Sequence, residues 1–280
     1  MLPLARLLYD FAARTKILEG VDVSTEVNDG IEMRIYSPQA SRSDAAILWI
    51  FGGGHVAGRP EHLNHIASLA AKELGVSVFV PRYRLAPRHP FPADLDDCFR
   101  AWTWLAANAG ARGLSAERLA VAGHSAGGGL AAALAQKILD HGGPQPRAQC
   151  LFYPMLDDRV AADRSLDEIN HFVWNNKANH VAWSTYLFPH APGSASIPEY
   201  AAAARRGDLS ALPPAWIGLC GIDLFADEDR DYARRLKDAG VECEVHVVDG
   251  APHAFELFEP NASVSREFER SAIAFLSRIL

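Results

Sequence analysis

The sequence predicts an α/β fold, with a mostly parallel central sheet and helices on both faces. Three observations carry this. Short apolar runs alternate with helical periods along nearly the whole chain, the pattern of strand–helix–strand units. Several runs, such as Ala45 to Phe51, are continuously apolar, as expected of strands buried on both faces. The third is Val121-Ala122-Gly123-His124-Ser125-Ala126-Gly127-Gly128-Gly129, which joins the apolar run Leu119–Ala122 to the Ala/Leu-rich helical run Leu130–Leu139. Its Gly-x-Ser-x-Gly core is the pattern of a nucleophile elbow. A strand that becomes a helix within a few residues holds its serine in a strained conformation with the hydroxyl exposed, and only small residues fit beside it.

At 280 residues, 49% hydrophobic and 22% charged, the chain has material for a sizeable core, and one domain accounts for the length. The formal net charge is -7, and the basic residues are scattered, which argues against a nucleic-acid partner. No apolar run is long enough to span a membrane. Met1 to Phe11 lacks the pattern of a signal peptide, and Pro3 to Tyr9 reads as a short amphipathic helix. Cys98, Cys150, Cys220 and Cys243 show no metal-binding spacing and read as core thiols, which fits a cytoplasmic setting. Asn261-Ala262-Ser263 matches a glycosylation acceptor but reads better as the N-terminal cap of the last helix.

The elements follow in order. Val21–Val27 and Ile31–Tyr36 alternate in polarity around Asn28-Asp29-Gly30, a hairpin signal. The strand Ala45–Phe51 ends in Gly52-Gly53-Gly54-His55. Glu61–Leu74 has helical periodicity closed by Gly75, and Val76–Val80 is a buried strand. Pro81 to Pro92 is too rich in proline for helix or central strand and reads as a fixed surface loop. Ala93–Asn108 is a helix with Leu95, Phe99, Trp102 and Leu105 on one face. After the elbow comes a strand over Gln149–Tyr153. Pro154 to Leu212 breaks the rhythm: Trp174, Trp183, Tyr186 and Phe188 stand at helix-like spacing, and the segment reads as a helical insertion over the core. Strand Ala215–Cys220, helix Asp227–Ala239, strand Val241–Val248 and helix Ser263–Leu280 complete the chain. The strand Val241–Val248 is a candidate sheet edge, able to pair with a second copy in a homodimer.

A serine hydroxyl needs a base to take its proton, usually a histidine oriented by a carboxylate. In an elbow fold these follow the serine in the order acid, histidine, on loops after strands. Asp223, just past the Ala215–Cys220 strand, and His253, just past the Val241–Val248 strand, meet that requirement. Asp227 and Glu228 compete as the acid but read as the acidic first turn of a helix. Asp249 competes as a turn residue, and His246 lies within a strand. The attacked carbonyl becomes an oxyanion, which needs donors already in place. The backbone N–H of Ala126 and the glycines Gly53 and Gly54 are the candidates. Neither a phosphate-binding nor a dinucleotide-binding pattern fits the glycine run.

Four features together resemble the hormone-sensitive lipase group of the α/β-hydrolases. They are Gly52-Gly53-Gly54 after a strand; Tyr83-Arg84-Leu85-Ala86-Pro87 with Phe91-Pro92-Ala93; Gly123-His124-Ser125-Ala126-Gly127-Gly128; and Asp223 to Glu228 with His253-Ala254-Phe255. The resemblance runs from about Ala45 to the C-terminus. It implies an α/β-hydrolase fold, a Ser125–Asp223–His253 triad, an oxyanion hole from Gly53, Gly54 and Ala126, and a cap from about residues 1–20 and 157–212. It also implies a serine carboxylesterase for small, short-chain esters that needs no metal or organic cofactor. Three positions depart from the group: Phe51 stands where histidine is usual, His124 where aspartate is common, and Arg88 where an acidic residue is normal. Phe51 implies that the oxyanion loop is held in another way. His124 is shared with arylformamidase-like amide hydrolases, an alternative reading. A ligand-binding protein on a hydrolase scaffold is a second alternative, disfavoured because His253 is present.

Overall fold

A computed structural model describes residues 16–40 and 43–280. The helix expected over Pro3 to Tyr9 lies outside them, as does most of the expected cap element at residues 1–20. The elements run β1 (Val21–Asn28), β2 (Ile31–Pro38), β3 (Ala46–Ile50), α1 (Asn64–Leu74), β4 (Ser77–Pro81), α2 (Ala93–Asn108), β5 (Leu119–His124), α3 (Ala126–His141) and β6 (Gln149–Phe152). They continue α4 (Asp158–Ala162), α5 (Asn176–Tyr186), β7 (Ala215–Cys220), α6 (Ala226–Asp238), β8 (Cys243–Val248), α7 (Phe255–Phe258) and α8 (Ser263–Ile279).

The eight strands form one sheet in the order β1-β2-β4-β3-β5-β6-β7-β8. β1 and β2 form the expected antiparallel hairpin, and β2 also runs antiparallel to β4. Its turn needs positive φ at both Asp29 (49°) and Gly30 (73°), as a two-residue primed turn does. Every other pairing is parallel. β3, β5, β6 and β7 are buried along their whole length, which is why their sequences read as unbroken apolar runs. β8 is an edge strand, as its alternating pattern implies. His246, partly buried within it, packs against Trp216 and Phe268, in keeping with a structural role. The four cysteines are buried and unpaired. No helix among the described residues is long and apolar enough to cross a membrane.

Three sequence expectations need correction. The segment from Pro154 to Leu212 is less helical than its aromatic spacing implies: α5 is its one helix of more than five residues, and short 3-10 turns and loops fill the rest. Pro189, Pro192 and Pro198 deny helix to the second half. Trp174 precedes α5 and Phe188 follows it, 69% exposed, while Trp183 and Tyr186 are buried. This segment is tied down by Asp158, which is fully buried and accepts hydrogen bonds from Arg205 Nε (2.6 Å), Arg205 Nη2 (2.7 Å) and the Gly193 N–H (2.7 Å). The proline loop is fixed but not wholly at the surface, because Tyr83 and Ala86 are buried. Asn261 sits before α8 without capping it; the N-cap position is Ala262, with no side-chain bond.

His124, the last residue of β5, is enclosed behind the elbow. Its ring stacks on Phe152 (centroids 4.2 Å apart), and the indole N–H of Trp49 donates to its Nδ1 (3.1 Å). Burial, helped by the nearby His253, lowers its pKa to about 3 from a usual value of 6.5. An unfolded chain would take up the proton near pH 6.5, so the folded state loses stability as pH falls from there toward 3. Between pH 7.5 and 5.5 this one group should cost wild type about 1.4 kcal/mol that a His124→Asn variant does not lose. Urea unfolding of both proteins at the two pH values measures the difference; equal pH dependence would contradict a buried neutral His124.

Candidate active site

The elbow is built by close backbone approach. A Cβ on Gly123 would stand 2.0 Å from the Gly127 carbonyl oxygen, and one on Gly127 would stand 2.2 Å from the Ile50 carbonyl oxygen. Only glycine lets α3 leave β5 this tightly across the end of β3. Ser125 therefore sits at φ 54°, ψ -122°, between strand and helix. Its N–H donates to the Phe152 carbonyl (2.9 Å), and its carbonyl accepts from Gly129 and Met155 (3.0 Å each).

The three residues expected to act together meet at the carboxyl ends of β5, β7 and β8. The Ser125 hydroxyl oxygen lies 2.9 Å from His253 Nε2, and His253 Nδ1 lies 2.6 Å from Asp223 Oδ2. All three are buried, Ser125 being 8% exposed. With Nδ1–H donating to the carboxylate, Nε2 is free to accept the serine proton. The edges of Tyr153 and Phe225 flank the imidazole at 4.8 and 5.3 Å between centroids. Tyr153 in turn donates from its hydroxyl to Glu256, whose carboxyl is pushed up to about 7 by burial.

The competing acids are elsewhere. The Asp227 side chain is fully exposed at the start of α6, as a first-turn carboxylate should be, and Asp249 is an exposed turn residue. Glu228 departs from its expected role. It is buried, and its Oε1 accepts the N–H groups of Leu156 (2.6 Å) and Asp157 (3.2 Å), joining α6 to the start of the insertion. Burial raises its pKa. Nothing in the sequence separates it from Asp227.

The expected oxyanion donors are Ala126, Gly53 and Gly54. Ala126 is the first residue of α3, so its N–H has no acceptor within the helix. Among the described residues, the N–H groups of Gly53 and Gly54 donate to no protein acceptor. The Gly53 carbonyl accepts from both Val56 (3.2 Å) and Ala57 (3.0 Å), which folds the loop into a tight turn. Phe51 does bring a different support. Its ring stacks on Tyr83 (4.1 Å), and the Tyr83 hydroxyl donates to its carbonyl (2.7 Å). Arg88, the third departure, is exposed.

Trp174 roofs this loop. A Cβ on Gly54 would stand 2.4 Å from Trp174 Cη2. The indole N–H donates to Asn179 Oδ1 (3.2 Å), and a three-residue turn through Val173 (φ 68°), with Trp174 N–H on the Phe172 carbonyl (2.8 Å), aims the ring. It packs against an apolar cluster that includes Ala126, Met155, Leu224 and Phe225. Its place on the insertion was visible in the sequence; its contact with Gly54 was not. No group of three or more potential metal ligands occurs among the described residues.

Comparisons with known proteins agree with the fold. A family model described as an alpha/beta hydrolase fold matches residues 47–257. The chain is 32% identical over 255 residues to a carboxylesterase of Mycobacterium tuberculosis, covering 89% of this chain and 79% of that one. It is 31% identical over 241 residues to an ethyl acetate hydrolase of Pseudomonas putida, covering 84% and 74%. Of solved structures, a bacterial heroin esterase superposes with a TM-score of 0.93 at 32% identity, covering 100% of this chain and 92% of that one. An esterase of the bacterial hormone-sensitive lipase family superposes with a TM-score of 0.86 at 27% identity, covering 98% and 90%. With its sheet order, its elbow and these relatives, the chain belongs to the α/β-hydrolase fold family, among the carboxylic ester hydrolases of the hormone-sensitive lipase group.

Proposed function

We propose that the protein is a serine carboxylesterase for small, short-chain acyl esters, with Ser125, His253 and Asp223 as its catalytic residues. The observation that carries the reading is the continuous hydrogen-bonded chain from the Ser125 hydroxyl through His253 to Asp223. His253 Nε2 takes the proton as Ser125 attacks the ester carbonyl. The oxyanion forms against the N–H groups of Gly53, Gly54 and Ala126, at the N-terminus of α3, whose dipole favours negative charge there. His253 then protonates the leaving alcohol. Water enters, gives a proton to His253 and attacks the acyl-enzyme; collapse releases the acid and restores Ser125. Asp223 keeps the imidazole in the required tautomer throughout.

The short acyl preference rests on Trp174. The leaving oxygen must come within reach of His253 Nε2, so the acyl group points away from the imidazole, along the oxyanion loop. Trp174 stands over that loop against Gly54 and closes the space a long chain would take. The relative named for ethyl acetate points the same way. Residues 157–212, which carry Trp174, act as the cap in this reading. An open cleft of about 720 Å³ beside Asp223, lined in part by Ile169, Phe172, Ile222 and Leu224, is the proposed approach for the ester. His124 supplies no argument for amide hydrolysis, because it is engaged by Trp49 and Phe152 behind the elbow. The four unpaired thiols support a reducing, cytoplasmic setting. The β8 edge is the proposed surface for a homodimer, which sedimentation of wild type would test.

Ser125→Ala should lower hydrolysis of p-nitrophenyl acetate by at least about 10³-fold, with the fold intact by circular dichroism. A rate near wild type would remove Ser125 from the mechanism. Trp174→Ala should raise the octanoate-to-acetate ratio of kcat/KM at least about tenfold. An unchanged ratio, or a gain confined to bulkier alcohols at fixed acetyl, would show that Trp174 does not bound the acyl group.

A further inference from the structure

The oxyanion loop passes through three successive residues with positive φ: Gly53 (125°), Gly54 (60°) and His55 (62°). Glycine adopts this backbone freely, but histidine does not. A non-glycine residue stays there only when its surroundings over-determine it. Three contacts do so here. The His55 carbonyl accepts the Ala86 N–H (3.0 Å) from the proline loop. Its ring stacks on Tyr186 of α5, with centroids 3.8 Å apart and planes 17° from parallel. Its Nδ1 lies 2.8 Å from Asp94 Oδ2, and both residues are 2% exposed.

Asp94 is itself fixed. It stands in the first turn of α2, and its Oδ1 accepts the Leu95 N–H (2.8 Å). The pairing is made through Nδ1, and Nε2 is left without a protein partner. A buried ionisable pair is a poor way to gain stability, because apolar side chains of similar shape serve as well. What such a pair supplies is direction: it fixes one rotamer of His55, and through the peptide unit between them it fixes Gly54.

We propose that His55 and Asp94 form a positioning dyad for the oxyanion hole, holding Gly53 and Gly54 at the spacing the oxyanion requires in a loop where the Phe51 side chain offers no polar group. The proposal rests on the reading of these glycines as oxyanion donors. The dyad touches no reacting atom and acts through the loop backbone. An ångström of misplacement in such a donor is enough to cost orders of magnitude in rate.

The test uses His55→Phe, which keeps a ring on Tyr186 but loses the Nδ1 bond, Asp94→Ala, and the double variant. Rates are taken per active site, counted by exhaustive fluorophosphonate labelling of Ser125, so loss of folded protein does not enter. Each single variant should lower kcat for p-nitrophenyl acetate about 10- to 100-fold with KM within threefold of wild type. Inhibition by an aryl trifluoromethyl ketone, which forms an oxyanion on Ser125, should weaken in parallel. The double variant should be no more than about threefold worse than the poorer single, because the two residues act as one unit. A kcat per site within threefold of wild type in either single variant, or losses that multiply in the double, would overturn the dyad. Wild type without Ser125-dependent hydrolysis would overturn the esterase reading and the dyad with it; active wild type with unaffected variants overturns the dyad alone.

Discussion

Ser125 is held in a backbone conformation that costs on the order of 1–3 kcal/mol, and the rest of the site depends on its staying there. The strain is sustained by hydrogen bonds on both sides of the residue, from Ser125 N–H to Phe152 and to its carbonyl from Gly129 and Met155. It is also sustained by the absence of side chains where α3 passes over β3. Gly127 lies against the carbonyl oxygens of Ile50 and Phe51. That contact, with Gly52 lying against the His124 carbonyl and the Ser125 Cβ, brings the start of α3 beside the start of the glycine loop. In the proposed mechanism, nucleophile and oxyanion donors therefore share one cause, the packing of a helix N-terminus on a strand C-terminus.

Around this point several buried polar groups are held by specific partners. His124 stays neutral behind the elbow, Glu256 receives the Tyr153 hydroxyl, and Glu228 collects two backbone N–H groups from the insertion. Beside His124, a cavity of about 30 Å³ lined in part by His62, His65, Glu256 and Glu269 is large enough for one water. His124 packs the strand end that carries Ser125, Tyr153 and Glu256 sit beside His253, and Glu228 holds the start of the insertion.

The sheet was readable because its central strands are buried on both faces, and the α/β order follows from that pattern. Ser125, Asp223 and His253 were readable because an elbow fold constrains their order along the chain and their places at strand ends. Glu228 could not be told from Asp227 by sequence, since both suit a helix first turn; only the path of Leu156 and Asp157 past α6 distinguishes them. The roles of His55, Asp94 and Trp174 depend on contacts between segments far apart in the chain, which no local period encodes. His55 did carry one signal, its place directly after a glycine run, and Phe51 announced that the loop needed another support. The insertion was over-read as helix because its aromatics mimic a helical period while its prolines forbid one.

The central claim is that one geometry serves both attack by Ser125 and stabilisation of the oxyanion. A crystal structure of the protein after reaction with a short-chain alkyl phosphonate tests it most directly. The account predicts phosphorus bonded to the Ser125 hydroxyl oxygen, with the phosphonyl oxygen about 2.7–3.1 Å from the backbone nitrogens of Gly53, Gly54 and Ala126. An adduct whose phosphonyl oxygen turns away from those nitrogens, or one formed on another residue, would contradict it.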